Sequence, residues 1–244
     1  MQAFGLASGG IVTTSTRGLR PDLAAIVTVL AMIGGLMLVS AGSAAAAGRC
    51  SVVVPSRLSV DSPVKSVSAR LRQDCGRAGM FFASWDIRHP VSGSSGLFVF
   101  RGNQRSDSWN FFDWEHLGTY TITPRSASDF TSHRLLQNTT TTTVRLASRV
   151  SIRVARRGKF VVLSSTATRY HPSVSDFGPW GGKLVSLGYR TCPTCSWHHI
   201  GTRRADAQGR IRTRRLSAPT VREFRARLTR EPTTWGSTSG PRRG

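Results

Sequence analysis

The sequence predicts an all-β protein in which two β-sandwich domains follow an N-terminal export signal. Short runs rich in Val, Ile, Thr and aromatic residues recur along the chain and are separated by Gly, Pro, Ser and Asp. Almost no segment after the first 47 residues has the period of an amphipathic helix. The balance of basic and acidic residues also changes abruptly near residue 149. The predicted boundaries are a signal segment at 1–47, domains at 48–148 and 149–234, and a disordered tail at 235–244.

The first 47 residues have the organisation of an export signal. Arg17 and Arg20 precede an apolar core from Leu23 to Val39, and Ala45-x-Ala47 follows as a site that a signal peptidase accepts. A core of 17 residues is close to the shortest that spans a membrane, so an uncleaved anchor remains the alternative. Either arrangement places the rest of the chain outside the cytoplasm. We therefore expect a secreted or envelope-associated protein.

The first domain is predicted from runs with strand composition. In one of them Val67 and Ala69 alternate with polar residues, as expected for a strand with one buried face. The predicted strands are Val52–Val54, Val64–Leu71, Met80–Ile87, Leu97–Phe100, Gly118–Thr123 and Thr140–Leu146.

The second domain repeats this pattern of short runs and turns. Between two of the runs, Asp206-Ala-Gln-Gly209 predicts a hairpin turn with glycine at a positive φ. Residues beyond 234 are rich in Gly, Ser and Arg, a composition typical of disorder. The predicted strands are Arg149–Ala155, Lys159–Thr168, Lys183–Arg190, Trp197–Arg203, Arg210–Leu216 and Arg222–Leu228.

The chain has four cysteines, and an even number in an exported protein indicates disulfide bonds. Four cysteines allow three pairings, of which we favour Cys50–Cys75 and Cys192–Cys195 because each pair then lies within one predicted domain. Zinc is a competing interpretation of the second pair, since His198 and His199 follow it and thiolate and imidazole are zinc ligands. Adjacent histidines in a strand point to opposite faces, so we predict no metal site. A thioredoxin-like role would need a helix where the sequence predicts a strand.

The net charge of +22 comes almost entirely from arginine. Residues 149–244 hold 20 basic and 4 acidic residues, whereas residues 50–148 hold 11 and 7. Because arginine pairs bidentately with phosphate and carboxylate groups, the second domain is predicted to contact an anionic partner. If neighbouring basic strands pair, their arginines form one basic wall; a solvated face and codon usage in a GC-rich genome are the alternatives. The predicted anion-binding residues are Arg210, Arg212, Arg214, Arg225 and Arg227.

The segment from Trp109 to Glu115 is rich in aromatic side chains and contains two acids. Such a segment is typical of either core packing or stacking on sugar rings. A glycosidase needs two carboxylates that face one cleft, and Asp113 and Glu115 are only two residues apart. The motifs Gly-x-Ser-x-Gly and His-Glu-x-x-His are absent, so we predict no catalytic residue, no metal and no cofactor. The candidate carbohydrate-binding residues are Trp109, Phe111 and Trp114, together with Phe112.

Short characteristic stretches occur in both halves of the chain. They are Asp74-Cys75, Trp85 and Gly118-Thr-Tyr120 in the first half, and Lys159-Phe-Val-Val-Leu163, Arg169-Tyr170, Phe177-Gly-Pro-Trp180, Lys183-Leu-Val-Ser-Leu187, Asp206-x-x-Gly209 and Trp235-Gly-Ser-Thr-Ser239 in the second. In these stretches residues 149–239 resemble an immunoglobulin-like surface module of secreted actinobacterial proteins, and the first half resembles the β domain that precedes such modules. The resemblance implies two immunoglobulin-like β-sandwich domains and transfers no catalytic residue.

These features predict a secreted or cell-envelope binding or structural protein rather than an enzyme. Its expected partner is an anionic cell-wall polymer or surface, contacted by the basic second domain. Nucleic acid is disfavoured because aromatic side chains that stack on bases lie in the other half of the chain. Membrane contact is expected only through an uncleaved N-terminal segment. The alternatives are a carbohydrate-binding protein that uses residues 109–115 and a secreted enzyme of unspecified type.

Overall fold

The computed structural model describes residues 48–244, so the predicted signal segment lies outside the described residues. Residues 48–244 form 19 β-strands, one α-helix and one 3-10 helix. Neither of these two helices has the length and apolar character that a membrane crossing requires.

The strands up to residue 146 form the first sandwich. A three-stranded sheet of order β2-β4-β7 faces a five-stranded sheet of order β3-β10-β8-β5-β6, and β1 pairs separately with β9. The elements are β1 (Arg49–Cys50), β2 (Val52–Val53), β3 (Arg57–Val60), β4 (Val64–Leu71), α1 (Gln73–Arg77), β5 (Met80–His89), β6 (Gly93–Arg101), β7 (Ser106–Phe112), β8 (Gly118–Asp129), β9 (Leu136–Gln137) and β10 (Thr140–Leu146).

The core of the first sandwich follows from strand alternation. Val67 and Ala69 of β4 point inward with Phe111 of β7, and Trp85 of β5 packs against them from the other sheet within the same buried cluster. The hydroxyl of Tyr120, near the start of β8, donates to the carbonyl of His116 at 2.7 Å. This tyrosine corner is a known feature of immunoglobulin-like sandwiches.

The disulfide Cys50–Cys75 is present and joins β1 to α1, which confirms the predicted pairing. Both sulfur-bearing residues are fully buried. The carboxylate of Asp74 also accepts from the backbone N–H and the hydroxyl of Ser51, at 3.2 and 2.6 Å. Residues 50 and 51 are therefore held to α1 by a covalent bond and two hydrogen bonds.

The strands from residue 148 onward form the second sandwich. In one sheet β12 pairs with β11 along one edge and with β13, β16 and β17 along the other; the opposite sheet has the order β15-β14-β18-β19. The elements are β11 (Ser148–Arg157), β12 (Phe160–His171), a 3-10 helix (Pro172–Val174), β13 (Asp176–Pro179), β14 (Leu184–Arg190), β15 (His198–Arg204), β16 (Arg210–Arg212), β17 (Leu216–Ser217), β18 (Glu223–Leu228) and β19 (Arg242–Arg243).

The turn at Asp206–Gly209 differs from the predicted hairpin. Gly209 has φ +73°, and its N–H donates to the carbonyl of Asp206 at 2.9 Å, so the turn itself forms as expected. The strands on either side, β15 and β16, belong to different sheets. The turn therefore carries the chain across the sandwich, with Gly209 lying directly against the carbonyl of Ala167 in β12.

The two hydrophobic cores meet at a junction formed by both halves of the chain. Tyr170 of β12 is fully buried in the first core, and its hydroxyl donates to Oδ2 of Asp113 at 2.7 Å. Its backbone N–H donates to the carbonyl of Ala147 at 2.9 Å. The end of the second sandwich is thereby fixed against the first.

The segment after residue 234 is part of this junction, in contrast to the predicted disordered tail. Trp235 is only 9% exposed, and its Nε1–H donates to the carbonyl of Leu58 at 2.7 Å. Further along, β19 pairs with the start of β18. The Gly-, Ser- and Arg-rich composition suggested disorder, but one buried indole and a short strand pairing order the segment.

Candidate functional site

The predicted anion-binding arginines lie on two different sheets and do not form one wall. Arg210 and Arg212 are in β16, which pairs with β12, whereas Arg225 and Arg227 are in β18, which pairs with β14 and β19. Arg214 lies beyond the end of β16 and is exposed. The condition for a single basic wall, that these two strands pair, is not met, because the chain crosses from one sheet to the other between them.

Arg210 and Arg212 instead lie beside an arginine that the sequence pattern did not select. The register aligns Arg153 of β11 with Ser164 of β12, and Ser164 with Arg212. In the next outward-facing row Ser151, Thr166 and Arg210 are aligned in the same way. We call this surface, defined by Arg153, Arg210 and Arg212 with the hydroxyls of Ser151, Ser164 and Thr166, the arginine face.

Strand alternation explains why the arginine face points to solvent. Ile152 and Ile211 alternate with its arginines and are buried in the second core. Arg156 of the same strand turns inward instead, and donates to the carbonyl of Ala218 at 2.7 Å. Only the pairing of β11, β12 and β16 identifies Arg153 as the partner of Arg212.

The guanidinium groups of the arginine face lack acidic partners. Arg153, Arg210 and Arg212 are exposed, and none of them is in an ion pair within residues 48–244. They line an open depression of about 530 Å³ in which Asp206 is the one carboxylate. Its Oδ1 already accepts from the backbone N–H groups of Gln208 and Arg210, at 3.0 and 2.7 Å. The depression therefore has an excess of positive charge and several hydroxyl donors.

The outer surface of the opposite sheet is also basic, but its charges are partly engaged. The guanidinium groups of Arg190 and Arg225 lie 4.8 and 4.1 Å from the ring centroid of Trp197. Burial, and then the charges of Arg227 and Arg190, lower the pKa of Arg225 below its ordinary value. Hydrogen bonding, first of all from Arg190 at 2.7 Å, lowers the pKa of Glu223. This surface is thus neutralised in part by protein groups.

The aromatic candidates separate into core and surface residues. Phe111 is fully buried and Trp109 is 7% exposed, so neither presents a ring face to solvent. Phe112 and Trp114 are 38% and 76% exposed, and their rings stack with centroids 5.6 Å apart and an interplanar angle of 19°. The alternation along β7 is the cause, since it turns residues 109 and 111 inward and residue 112 outward. We call Phe112 and Trp114 the aromatic pair.

The two acids beside the aromatic pair have separate structural contacts. Oε1 of Glu115 accepts from the backbone N–H of Phe112 at 3.0 Å, and Asp113 accepts from Tyr170. The aromatic pair borders an open depression of about 620 Å³, lined also by Asn110 and Glu115. This arrangement offers an aromatic platform with adjacent hydrogen-bonding groups.

The second cysteine pair is joined as a disulfide between Cys192 and Cys195. Within residues 48–244, no group of three or more His, Cys, Asp and Glu side chains is arranged to hold a metal ion. His198 stacks on Tyr189 with ring centroids 5.2 Å apart, while Nδ1 of His199 lies 3.2 Å from the hydroxyl of Ser186. The cysteines and histidines of this motif therefore have separate partners.

Comparisons with known proteins assign no family to this chain. No protein-family model matches the sequence, and no curated protein matches it. Similar solved structures include a segment of two fibronectin type III domains from chicken tenascin, at 13% identity and TM-score 0.37 over 79% of this chain and 95% of that chain. The chicken interferon gamma receptor alpha chain has 10% identity and TM-score 0.36 over 79% and 94% of the two chains. Bovine butyrophilin has 12% identity and TM-score 0.29 over 78% of this chain and 97% of that chain.

With TM-scores below 0.5, none of these likenesses carries an argument about this chain. Its all-β, immunoglobulin-like character rests on its own two sandwiches and tyrosine corner, in agreement with the expectation from the sequence.

Proposed function

We propose that this protein is a secreted or envelope-associated binding or structural protein whose arginine face contacts an anionic polymer or surface. One observation carries the proposal: three exposed guanidinium groups, one from β11 and two from β16, flank the hydroxyls of β12, and none of the three is in an ion pair within residues 48–244. Immunoglobulin-like folds are commonly used for binding and structural roles, which agrees with this assignment.

The physical argument concerns the electrostatic cost of the arginine face. Like charges that lie side by side on a sheet repel each other and destabilise the fold unless counter-ions screen them. A chain of phosphate or carboxylate groups relieves this repulsion at several positions together. Guanidinium groups hydrogen-bond such oxyanions bidentately, and the hydroxyls of Ser164 and Thr166 can add further donors.

An extracytoplasmic location is part of the proposal. It is supported by the export-type pattern of residues 1–47 and by two disulfide bonds, which persist in oxidising compartments. A wall polymer or surface glycan that carries phosphate or carboxylate groups would be accessible there.

The test is co-sedimentation of residues 48–244 with purified cell walls, before and after removal of the anionic polymers, across a salt series. We expect binding that is lost on removal of the polymers and that weakens steeply with salt, since each neutralised anion releases counter-ions. The variant Arg153→Gln/Arg210→Gln/Arg212→Gln should lose most of this binding and have a shallower salt dependence.

A variant with the same charge change provides the control. Arg70→Gln/Arg77→Gln/Arg101→Gln removes three exposed arginines of the first sandwich that make no ion pair within the described residues. If it loses binding as much as the arginine-face variant does, net charge alone is responsible and the proposed site is wrong. Wild-type binding that is unaffected by salt or by removal of the polymers would contradict the proposal as a whole.

The aromatic pair favours a second candidate function, recognition of a saccharide. A stacked and exposed Phe112–Trp114 pair beside Asn110 and Glu115 combines an apolar platform with hydrogen-bonding groups. Trp114→Ala should abolish binding to neutral oligosaccharides on a glycan array, and this binding should change little with salt. Phe81→Ala serves as the control, because Phe81 is also an exposed aromatic residue, 54% exposed, but does not border this depression. Equal binding by wild type and Trp114→Ala would exclude this candidate.

A further inference from the structure

The junction between the two sandwiches holds a second group of arginines, separate from the arginine face. Here the segment that begins at Thr233 lies along the end of β10: the N–H of Leu146 donates to the carbonyl of Thr233, and the N–H of Trp235 to the carbonyl of Leu146, both at 2.9 Å. The indole of Trp235 also bonds Leu58 of β3. The C-terminal segment thus brings residues of the second sandwich against the edge of the first.

Two arginines of the first sandwich share the indole of Trp235. The guanidinium carbons of Arg57 and Arg145 lie 4.0 and 4.5 Å from its ring centroid. Arg57 also approaches the carbonyl of Gly236, with Nη2 at 3.4 Å. Neither arginine is in an ion pair within residues 48–244, and the buried Nε of Arg145 has no hydrogen-bond partner there. Two like charges are therefore held beside one ring without a neutralising carboxylate.

Two arginines of the second sandwich complete the group. Arg227 of β18 and Arg230 line a depression of about 460 Å³ together with Arg57 and Trp235. Thr229, Ser237 and Thr238 line it as well, whereas no Asp or Glu does. The adjacent Glu231 is engaged elsewhere, because its carboxylate accepts from Nζ of Lys183 at 2.6 Å.

We propose that this junction depression is a binding site for a phosphate-type oxyanion, held by Arg57 from the first sandwich and by Arg227 and Arg230 from the second. Three arginines that line one depression, with neighbouring hydroxyls and no acidic residue, match the donor requirement of a tetrahedral oxyanion. Free inorganic phosphate and the phosphate groups of a polymer present the same chemistry. The inference does not depend on the proposed function, since it uses none of the residues of the arginine face.

The consequence is a coupling between binding and the junction. An oxyanion that contacts arginines of both sandwiches binds more tightly when Trp235 is in contact with the first sandwich than when the C-terminal segment has separated from it. By linkage it must therefore stabilise the contact of Trp235 with the first sandwich. Hydrogen exchange of the Trp235 backbone N–H, which donates to Leu146, reports this contact directly.

The experiment titrates residues 48–244 with orthophosphate, and separately with long-chain polyphosphate, at constant ionic strength. Binding is followed by calorimetry, and the exchange rate of the Trp235 backbone N–H is measured in parallel. We expect saturable binding, with slower exchange at this amide. Orthophosphate binding as tight per site as polyphosphate binding would assign the site to the free ion, whereas much tighter polyphosphate binding would assign it to a polymer.

The variant Arg57→Gln/Arg227→Gln/Arg230→Gln should weaken the binding that protects Trp235 by at least about tenfold, because each guanidinium supplies a charged hydrogen bond. Arg227→Gln/Arg230→Gln leaves the contact between Arg57 and Trp235 in place, so it keeps the test valid if the triple variant folds poorly. The arginine-face variant should retain the protection, which separates failure of this site from failure of the proposed function. Phosphate-dependent protection that is unchanged in the double variant, or absent in wild type, would overturn the inference.

Discussion

Replacement of Trp235 tests whether the C-terminal segment stabilises the folded protein. The indole is 9% exposed, bonds the carbonyl of Leu58 at 2.7 Å and lies within 4.5 Å of two guanidinium groups. Trp235→Phe keeps an aromatic ring but removes the N–H, so that a carbonyl loses its partner, and should cost about 1–2 kcal/mol. Trp235→Ala also removes a large buried side chain and both cation–π contacts, and should cost about 3–5 kcal/mol.

The assay is urea unfolding of residues 48–244 at 25 °C, followed by far-UV circular dichroism because the substitutions change tryptophan fluorescence. Trp114→Ala is the matched control: its side chain is 76% exposed, so the cost should be below about 0.5 kcal/mol. If Trp235→Ala unfolds at the same urea concentration as Trp114→Ala, the segment after residue 234 does not contribute to stability. In that case both the assignment of an ordered tail and the junction built on it are wrong.

Three further predictions concern the core, the disulfide and one turn. Burial, and then the hydrogen bond to a carboxylate, raise the pKa of Tyr170 from 10 to about 12, so the neutral phenol favours the folded state. The contribution of Tyr170 to stability should therefore be constant below pH 10 and be lost between pH 10 and 12, and Tyr170→Phe should remove this part of the pH dependence in denaturant titrations. Cys75→Ser opens a disulfide that spans 25 residues and should cost about 3 kcal/mol in the same urea assay; a loss below 1 kcal/mol would contradict the stabilising role of this bond. Gly209→Ala should lower the free energy of unfolding by about 2–3 kcal/mol, because a Cβ there meets the carbonyl of Ala167 and the positive φ adds strain. The control Gly158→Ala has φ +60° and open space around the Cβ, so it should cost only about 1 kcal/mol. Equal losses in the two variants would show that the contact with the carbonyl of Ala167 is unimportant.

Local alternation made much of the strand structure predictable. Val67 and Ala69 of β4 alternate with polar residues, a two-residue period that indicates a strand and not a helix. Both residues are buried, as expected. The pairing of Cys50 with Cys75 followed from their separation within one predicted domain, and the structure confirms it. These predictions succeeded because each depends on residues that are close in sequence, where backbone geometry and chain length limit the alternatives.

The phase of alternation in an aromatic segment was not predictable in this way. Phe111 and Phe112 are chemically identical neighbours, yet one is fully buried and the other is 38% exposed. A strand places them on opposite faces, but the pattern does not state which face is covered by the second sheet. Of the four carbohydrate candidates, Trp109 and Phe111 are buried, and only Phe112 and Trp114 are exposed.

The sequence by itself determined the all-β class, most of the strands, the high arginine content of the second half and the disulfide of the first. Only the tertiary structure decided that Arg153 lies in register with Arg212, that β16 and β18 belong to opposite sheets, and that Trp235 orders the final segment. The physical reason is the distance along the sequence over which residues interact. The two-residue period of a strand is set by local backbone geometry. Which strands become neighbours, and which face they bury, is set by contacts between residues far apart in the chain.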